Sequence, residues 1–393
     1  MYLLIILFVS CLFLASCGSS NDNNSMSYSY CSNDYINYYA SSSIFQNDAN
    51  LNPLWKDQWD LHANNNGNFG NPSIDVNASQ IRNNGGHKVI IAVIDDGFNL
   101  NHEDFKNPDL NVIKKWNLAY PYNNSFGDPS QDISEGIDNK ENHGTATLGI
   151  IAARDNNVGI MGLATTPNFQ FILIKMKFGK NSSVTIANLV SAFANAKKWG
   201  ADIISCSWGT NEGIVPLAEK EAITDAATSG GIGGKGINVV FSSGNGQKVN
   251  GENYGVDISN EADISEVISV GASNSFNRIT QYSNFGGNLD LVAPGGGYHF
   301  GMLGIPTLLG SSNDGYYNFN NYPPFIGTSA SAPLVSGAIA LMLAKNPTLT
   351  RVQVSNILHE SSDKIGTFSY QNGHNPCYGY GKLDVAKALR ETP

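Results

Sequence analysis

Nine residues, Phe325-Ile326-Gly327-Thr328-Ser329-Ala330-Ser331-Ala332-Pro333, run directly into a mostly apolar stretch at 334–343. That stretch reads as a buried helix, and the glycine turn before it delivers a serine to the helix's first turn. Backbone N–H groups at a helix start have no internal partner, so they favour negative charge developing beside the serine. Small residues on both sides of Ser329 let a second backbone come close. An ordinary helix entry, with Thr328 or Ser329 as N-cap, reads from the same residues. What separates the two readings is whether a base and an orienting acid stand elsewhere in suitable settings.

Both are present. Val89-Ile90-Ile91-Ala92-Val93-Ile94-Asp95-Asp96-Gly97 is a near-continuous apolar run ending in two carboxylates and a glycine. It reads as a buried parallel strand with an acid at its C-terminal edge, where open α/β sheets place their sites. Asn142-His143-Gly144-Thr145-Ala146-Thr147 opens a small-residue helix with a histidine at its mouth. In the chain order Asp, His, Ser these stretches resemble the subtilisin-like serine peptidases. Asp95-Asp96-Gly97 and Ser243-Gly244-Asn245-Gly246 are closest in wording to the kexin and furin branch. The likeness runs from about Asn52 to Leu389, most of the chain.

The resemblance implies a division of labour that the chemistry requires. A serine hydroxyl is a poor nucleophile until an imidazole takes its proton, which assigns His143 to Ser329. Asp95 then holds the imidazole in one tautomer and stabilises the imidazolium. The oxyanion needs fixed donors, and by resemblance these are the Asn245 side-chain amide and the Ser329 N–H. Asn245 follows the strand-like run at 237–242 and so falls at another C-terminal edge. As a plain turn asparagine it would need no such company.

With 393 residues and 41% hydrophobic content the chain can bury a large core as one α/β domain. Net charge is −10, from 23 basic and 33 acidic residues, with no basic stripe, so a nucleic-acid partner is not expected. Residues 1–17 read as a targeting segment: an apolar run at 3–14 is of signal-peptide length and short for a membrane span. It ends Leu14-Ala15-Ser16-Cys17-Gly18, which resembles a bacterial lipobox with Cys17 as the acylated N-terminus, although Met1-Tyr2 supplies no Lys or Arg. A plain signal peptide cleaved near Ala15-Ser16 is the alternative. Gly18 after the cysteine suits the outer membrane of a Gram-negative host. Residues 18–50, rich in Ser, Asn and Tyr, read as a flexible tether, and 51–393 as the peptidase domain. The tether is too short for the inhibitory propeptide usual in secreted members, and no kexin-type β-domain is expected behind the catalytic one.

Between the motifs, strands at 169–176, 202–208, 237–242 and 266–272 alternate with helices at 182–199, 216–228, 330–344 and 350–361. Alternation predicts a mainly parallel sheet with helices on both faces, the three-layer α/β architecture of the resembled family. Ser205-Cys206-Ser207-Trp208-Gly209 resembles the strand that pairs with an extended substrate and walls its first pocket, which places Ser207, Trp208, Gly209 and Gly244 beside the peptide. Trp208 reads equally as core filler. Asp96, with Glu212 and Asp257, is expected either to face basic substrate side chains or to be solvated loop carboxylates.

Arg154-Asp155-Asn156-Asn157-Val158-Gly159-Ile160 resembles the family's calcium loop. The ligands implied are the carbonyls of Arg154, Val158 and Ile160, the Asn156 side chain, Asp104 and Asn52, an oxygen-only set suited to Ca²⁺. A glycine-containing surface loop is the plain alternative. Of the cysteines, Cys206 reads as a buried strand thiol, and Cys31 and Cys377 are left either paired or free. The expectation is a monomeric, membrane-anchored, extracytoplasmic serine endopeptidase acting on proteins or peptides. The rivals are a sedolisin, disfavoured because it would carry a glutamate at His143 and an aspartate at Asn245, and a catalytically idle peptide-binding lipoprotein.

Overall fold

A computed structural model describes Cys31 and, from Leu54 to Pro393, all residues except 63–72, 84, 119–126, 131–141, 177–183, 211–212, 232, 250, 298–302, 313 and 318–324. The signal segment with Cys17, the tether apart from Cys31, Asn52 and Glu212 lie outside the described residues.

The strands are β1 (Val89–Asp95), β2 (Val112–Asn117), β3 (Phe169–Lys175), β4 (Ile203–Cys206), β5 (Asn238–Ser242), β6 (Gln247–Val249), β7 (Glu252–Tyr254), β8 (Ile268–Ser273), β9 (Leu291–Pro294), β10 (Thr307–Leu308) and β11 (Tyr316–Tyr317). The helices are α1 (Ala78–Arg82), α2 (His143–Ala152), α3 (Ile186–Lys198), α4 (Leu217–Ser229), α5 (Thr328–Lys345), α6 (Arg351–Ser361) and α7 (Val385–Glu391). Seven strands form one parallel sheet in the order β2-β3-β1-β4-β5-β8-β9. From β1 the chain winds to β2 and β3 on one side, then to β4 on the other, so β1 flanks the reversal where such sheets open a crevice.

The apolar runs follow from burial on two faces. Along β1, Val89, Ile91 and Val93 enter one hydrophobic core while Ile90, Ala92 and Ile94 enter the other. The first core is closed by α2, α5, α6 and α7, the second by α3 and α4. Helix α5 crosses β1, β4, β5, β8 and β9. Every residue of α5 is buried except Ser329 and Lys345, so the helix shows solvent its two ends only.

The predicted elements are present, with informative shifts. Helix α3 starts at Ile186 because Thr185 and Asn188 form a capping box, and α6 is capped the same way by Thr350 and Gln353. Helix α5 starts at Thr328 with Gly327 at φ 136° as N-cap, so neither Thr328 nor Ser329 caps it. Strand β2 carries no apolar run: it is a sheet edge, exposing Lys114 and Lys115 as edge strands do. Cys31 and Cys377 are joined in a disulfide, and Cys206 is buried with its thiol pushed up by burial.

Candidate active site

Four predicted residues meet at the C-terminal edge of the sheet. Asp95 is the last residue of β1, His143 the first of α2, Ser329 the second of α5, and Asn245 lies in the turn after β5. The His143 Nδ1–H donates to Asp95 Oδ1 at 2.8 Å. Asp95 is fully buried and is held by two further donors, the Asp96 N–H on Oδ1 (2.8 Å) and the Thr147 hydroxyl on Oδ2 (3.0 Å). Burial opposes a charge on the imidazole. The Asp95 carboxylate, through charge and hydrogen bond, and Asp96 outweigh it and raise the histidine's pKa above its ordinary value. With Nδ1 committed to Asp95, Nε2 is the nitrogen left to exchange a proton.

The Ser329 hydroxyl donates to the Ser207 carbonyl at 2.8 Å. Asn245 Oδ1 accepts from the Thr328 N–H (2.9 Å) and the Thr328 hydroxyl (3.0 Å), which orients the amide. Its NH₂ is thereby turned to the other side as a hydrogen-bond donor. Gly244, at φ 106°, belongs here by necessity: a Cβ would lie 2.5 Å from Asn284 Nδ2. Thr147, Thr328 and Asn284 were not among the expected site residues. Thr147 had a signal, since it lies four residues after His143 on one helix face.

The other predicted residues are placed unequally. Trp208 is half-buried, donates its indole N–H to Ile94 O at 2.8 Å and packs edge-on against Phe241, which anchors it to the sheet. Gly209 lies against Asn260, whose Nδ2 would be 2.6 Å from an added Cβ. Asp96 turns its carboxylate to the start of α2, accepting from the Gly144 N–H at 2.6 Å and the His143 N–H at 3.3 Å. An acid at a helix N-terminus is favourable there by charge alone. Asp257 is exposed, and its backbone bridges to Phe285.

The second cluster surrounds Asp104. The Ile160 N–H donates to its Oδ2 at 2.9 Å and the Arg154 N–H to its main-chain O at 2.8 Å, closing the 154–160 loop around it. Asn156 accepts from the Val158 N–H at 3.0 Å and donates to Glu103 O and Lys106 O. The Leu54 N–H donates to Gly159 O at 2.8 Å. Asp104 Oδ1 is buried without a hydrogen bond of good geometry, and burial, with Glu103 beside it, pushes the carboxyl up to about 8 despite the Ile160 N–H, the nearby Tyr316 hydroxyl and the Arg154 N–H. A buried carboxylate oxygen without a hydrogen bond is the feature here that fits a hard cation. His102 Nδ1 accepts from the Asp104 N–H at 3.2 Å, so its Nε2–H donates to Gly315 O at 2.8 Å.

Residues 86–381 match the model of the Subtilase family. The chain is 31% identical over 338 residues to the Calcium-dependent protease of a Nostoc species, covering 77% of this chain and 46% of that protein. It thus spans about half the length of that relative. With Subtilisin DY of Bacillus licheniformis it shares 30% identity over 323 residues, 82% of this chain and 98% of that one. Among solved structures, the serine protease of Aeromonas sobria in complex with a chaperone superposes with a TM-score of 0.69 at 21% identity, over 86% of this chain and 66% of that one, a likeness in fold. The sheet, the Asp95–His143 pair, Ser329 at the head of α5 and this match together place the chain in the subtilase family.

Proposed function

We propose that this chain is a serine endopeptidase that hydrolyses peptide bonds of protein substrates through Asp95, His143 and Ser329. The observation that carries the reading is the 2.8 Å bond from His143 to a fully buried Asp95, on the same sheet edge as the one solvent-facing serine of α5. In the reaction, the Ser329 hydroxyl leaves the Ser207 carbonyl and gives its proton to His143 Nε2 as Oγ adds to the substrate carbonyl. The oxyanion accepts from the Asn245 amide and the Ser329 N–H. His143 then passes the proton to the departing amine, leaving an acyl-enzyme, and water, deprotonated by the same imidazole, releases the acid. Ser207 to Gly209 supplies the backbone edge for the peptide, with Gly244 opposite. Labelling by a fluorophosphonate probe, with Ser329→Ala as control, tests this. A folded wild-type chain that stays unlabelled favours the idle binding protein instead.

Three finer readings accompany it. Asp104, Asn52, Asn156 and the carbonyls of Arg154, Val158 and Ile160 would hold a structural calcium ion, supported by the orphaned Asp104 oxygen. When bound, the ion supplies charge balance and rigidity to the loop. A chelator that leaves the melting temperature unchanged would remove this reading. Anchoring through Cys17 is supported by the lipobox-like segment and by the Cys31–Cys377 disulfide, a bond of oxidising compartments. About 14 residues separate Cys17 from Cys31, so the domain would stay within about 50 Å of the bilayer. Cys17→Ser should release it from the membrane fraction. A preference for basic side chains near the cut, from Asp96, Glu212 and Asp257 and the kexin-like wording, would show as Arg and Lys enrichment in a peptide library.

A further inference from the structure

The short hairpin of β10 and β11 touches both clusters with consecutive residues. Successive side chains on a strand point to opposite faces, so Tyr316 and Tyr317 look in different directions. On one face the Tyr316 ring covers Gly159, where an added Cβ would lie 2.2–2.3 Å from the ring. Its hydroxyl donates to Glu103 Oε1 at 2.9 Å, and its ring stands edge-on to His102 at 5.1 Å. The Gly315 carbonyl is tied through the His102 ring to the Asp104 N–H. The residue before Asp104, the glycine of its loop and the hairpin are therefore one packed unit.

On the other face the Tyr317 ring lies 5.6 Å from that of Phe325, and Phe325 stands edge-on to the His143 imidazole at 5.7 Å. The hairpin is seated on the helix that His143 opens. The Thr307 hydroxyl donates to Ala146 O at 2.5 Å, and Gly149 leaves room for Leu308, whose Cγ would be 2.6 Å from an added Cβ. Phe325 begins the turn that leads to Ser329. A shift of the hairpin thus reaches the imidazole from the side that Asp95 does not hold.

We propose that this hairpin couples the Asp104 loop to the catalytic imidazole, with Tyr316 sensing whether the loop is ordered by a cation and Tyr317, through Phe325, positioning His143. The inference rests on the functional reading above and on the loop's fit to a hard cation. Tyr316 and Tyr317 are positioning residues: neither touches substrate in this scheme. Packed aromatic contacts transmit displacement because interiors are close-packed, and a ring that loses its seat moves its neighbours.

The test uses the full chain carrying Ser329→Ala to prevent self-cleavage, with histidines isotopically labelled and the His143 ring signals assigned by comparison with His143→Gln. Calcium chloride is titrated in, followed by calorimetry for binding and by NMR for His143. The expected result is a His143 shift that saturates together with calorimetric binding. In Tyr317→Ala, calcium binds within about threefold of the parent affinity and the His143 shift disappears, whereas Tyr317→Phe, which keeps the ring, restores it. In Tyr316→Ala the shift also disappears. With Ser329 restored, removing calcium lowers kcat about tenfold at nearly constant KM in the parent, and Tyr317→Ala has the low kcat with or without calcium. His143 signals that ignore bound calcium, or that shift equally in both alanine variants, overturn the coupling while leaving the metal loop and the peptidase reading intact. An absence of calorimetric binding removes the metal reading and the coupling together. An absence of fluorophosphonate labelling in the Ser329 chain removes the peptidase reading and the inference with it.

Discussion

The Ser329 hydroxyl donates to the Ser207 carbonyl at 2.8 Å, one residue beyond the C-terminal end of β4. The proposed nucleophile is thus held on a main-chain oxygen, and rotation about one side-chain bond is the movement that changes its partner. Ser329 is only half-buried, so losing its oxygen opens no large cavity. Ser329→Ala is expected to lower kcat about 10⁶-fold, as removing the nucleophile of such a triad does, with little change in melting temperature. Steady-state assays beside thermal melts check both halves.

The Asp95–His143 pair sets a pH dependence. On the proposed mechanism activity requires the neutral imidazole, and the Asp95 carboxylate favours the charged one, so the acid limb of kcat/KM should lie above the ordinary histidine value of 6.5. Activity falls as pH drops through that limb. Asp95→Asn should lower the plateau about 10⁴-fold, because the tautomer is no longer held, and move the limb toward lower pH. A pH–rate profile in which the limb stays put while the plateau falls would separate tautomer control from charge.

Asn245 is fixed by accepting two bonds from Thr328, which on the proposed mechanism orients its amide donor before substrate arrives. Asn245→Ala should cost about 2.7–4 kcal/mol of transition-state stabilisation, seen as a roughly 10²–10³-fold drop in kcat with KM nearly unchanged. Thr328→Val should reproduce a fraction of that drop, since it removes one of the two bonds and keeps the backbone one. An increase in KM instead would mean that Asn245 binds the ground state.

Why the sequence could bring these four residues to one sheet edge is physical. Each ends or begins an element whose apolar run is unmistakable, and in a parallel sheet strand ends and helix heads share one edge. The supporting shell left weaker traces. Thr328 reads as a helix cap, yet its hydroxyl faces Asn245; Asp96 reads either as facing basic substrate side chains or as a solvated loop carboxylate, and its oxygens accept from two main-chain N–H groups of α2. Side chains with several possible partners cannot be assigned from spacing alone. The β10–β11 hairpin was invisible for another reason: two-residue strands carry no period to detect. Cys31 and Cys377 lay too far apart in sequence for pairing to be read, and the structure joins them.

A buried pair of acids predicts an alkaline weakness. Glu219, in the first turn of α4, is fully buried with both carboxyl oxygens lacking hydrogen bonds to other groups. Burial first, and then Glu261 beside it, pushes its carboxyl from 4.5 up to about 8. Glu261 Oε2 accepts from the Thr210 N–H at 2.8 Å, which favours the proton on Glu219. Between pH 4.5 and about 8 the folded chain holds a proton that the unfolded chain has lost, so stability falls as pH rises through this window and levels off above it. Glu219→Gln keeps the neutral shape and should flatten that slope, stabilising the protein at pH 9 by a few kcal/mol, on the order of one pKa unit per 1.4 kcal/mol. Urea melts of both proteins from pH 5 to 9 provide the comparison. Parallel curves for the two would mean that water or a cation already compensates the pair.

The disulfide makes the last prediction, and its location decides how the experiment has to be run. Cys31 and Cys377 are 346 residues apart, and both are buried, with 2% and 0% of their surface exposed. Closing so long a loop restricts the unfolded chain, by an amount on the order of 5 kcal/mol in the loop-entropy picture. Because neither sulfur is exposed, a thiolate reductant has no path to them in the folded protein. Reductant alone should therefore leave the native melting curve unchanged over minutes and lower the midpoint only after a cycle of unfolding. Cys31→Ser should show the full loss at once, and Cys31→Ser with Cys377→Ser should add little to it, since the crosslink is already gone. If instead the single variant melts like the parent, burial of Cys31 in the second core suffices and the crosslink contributes nothing further.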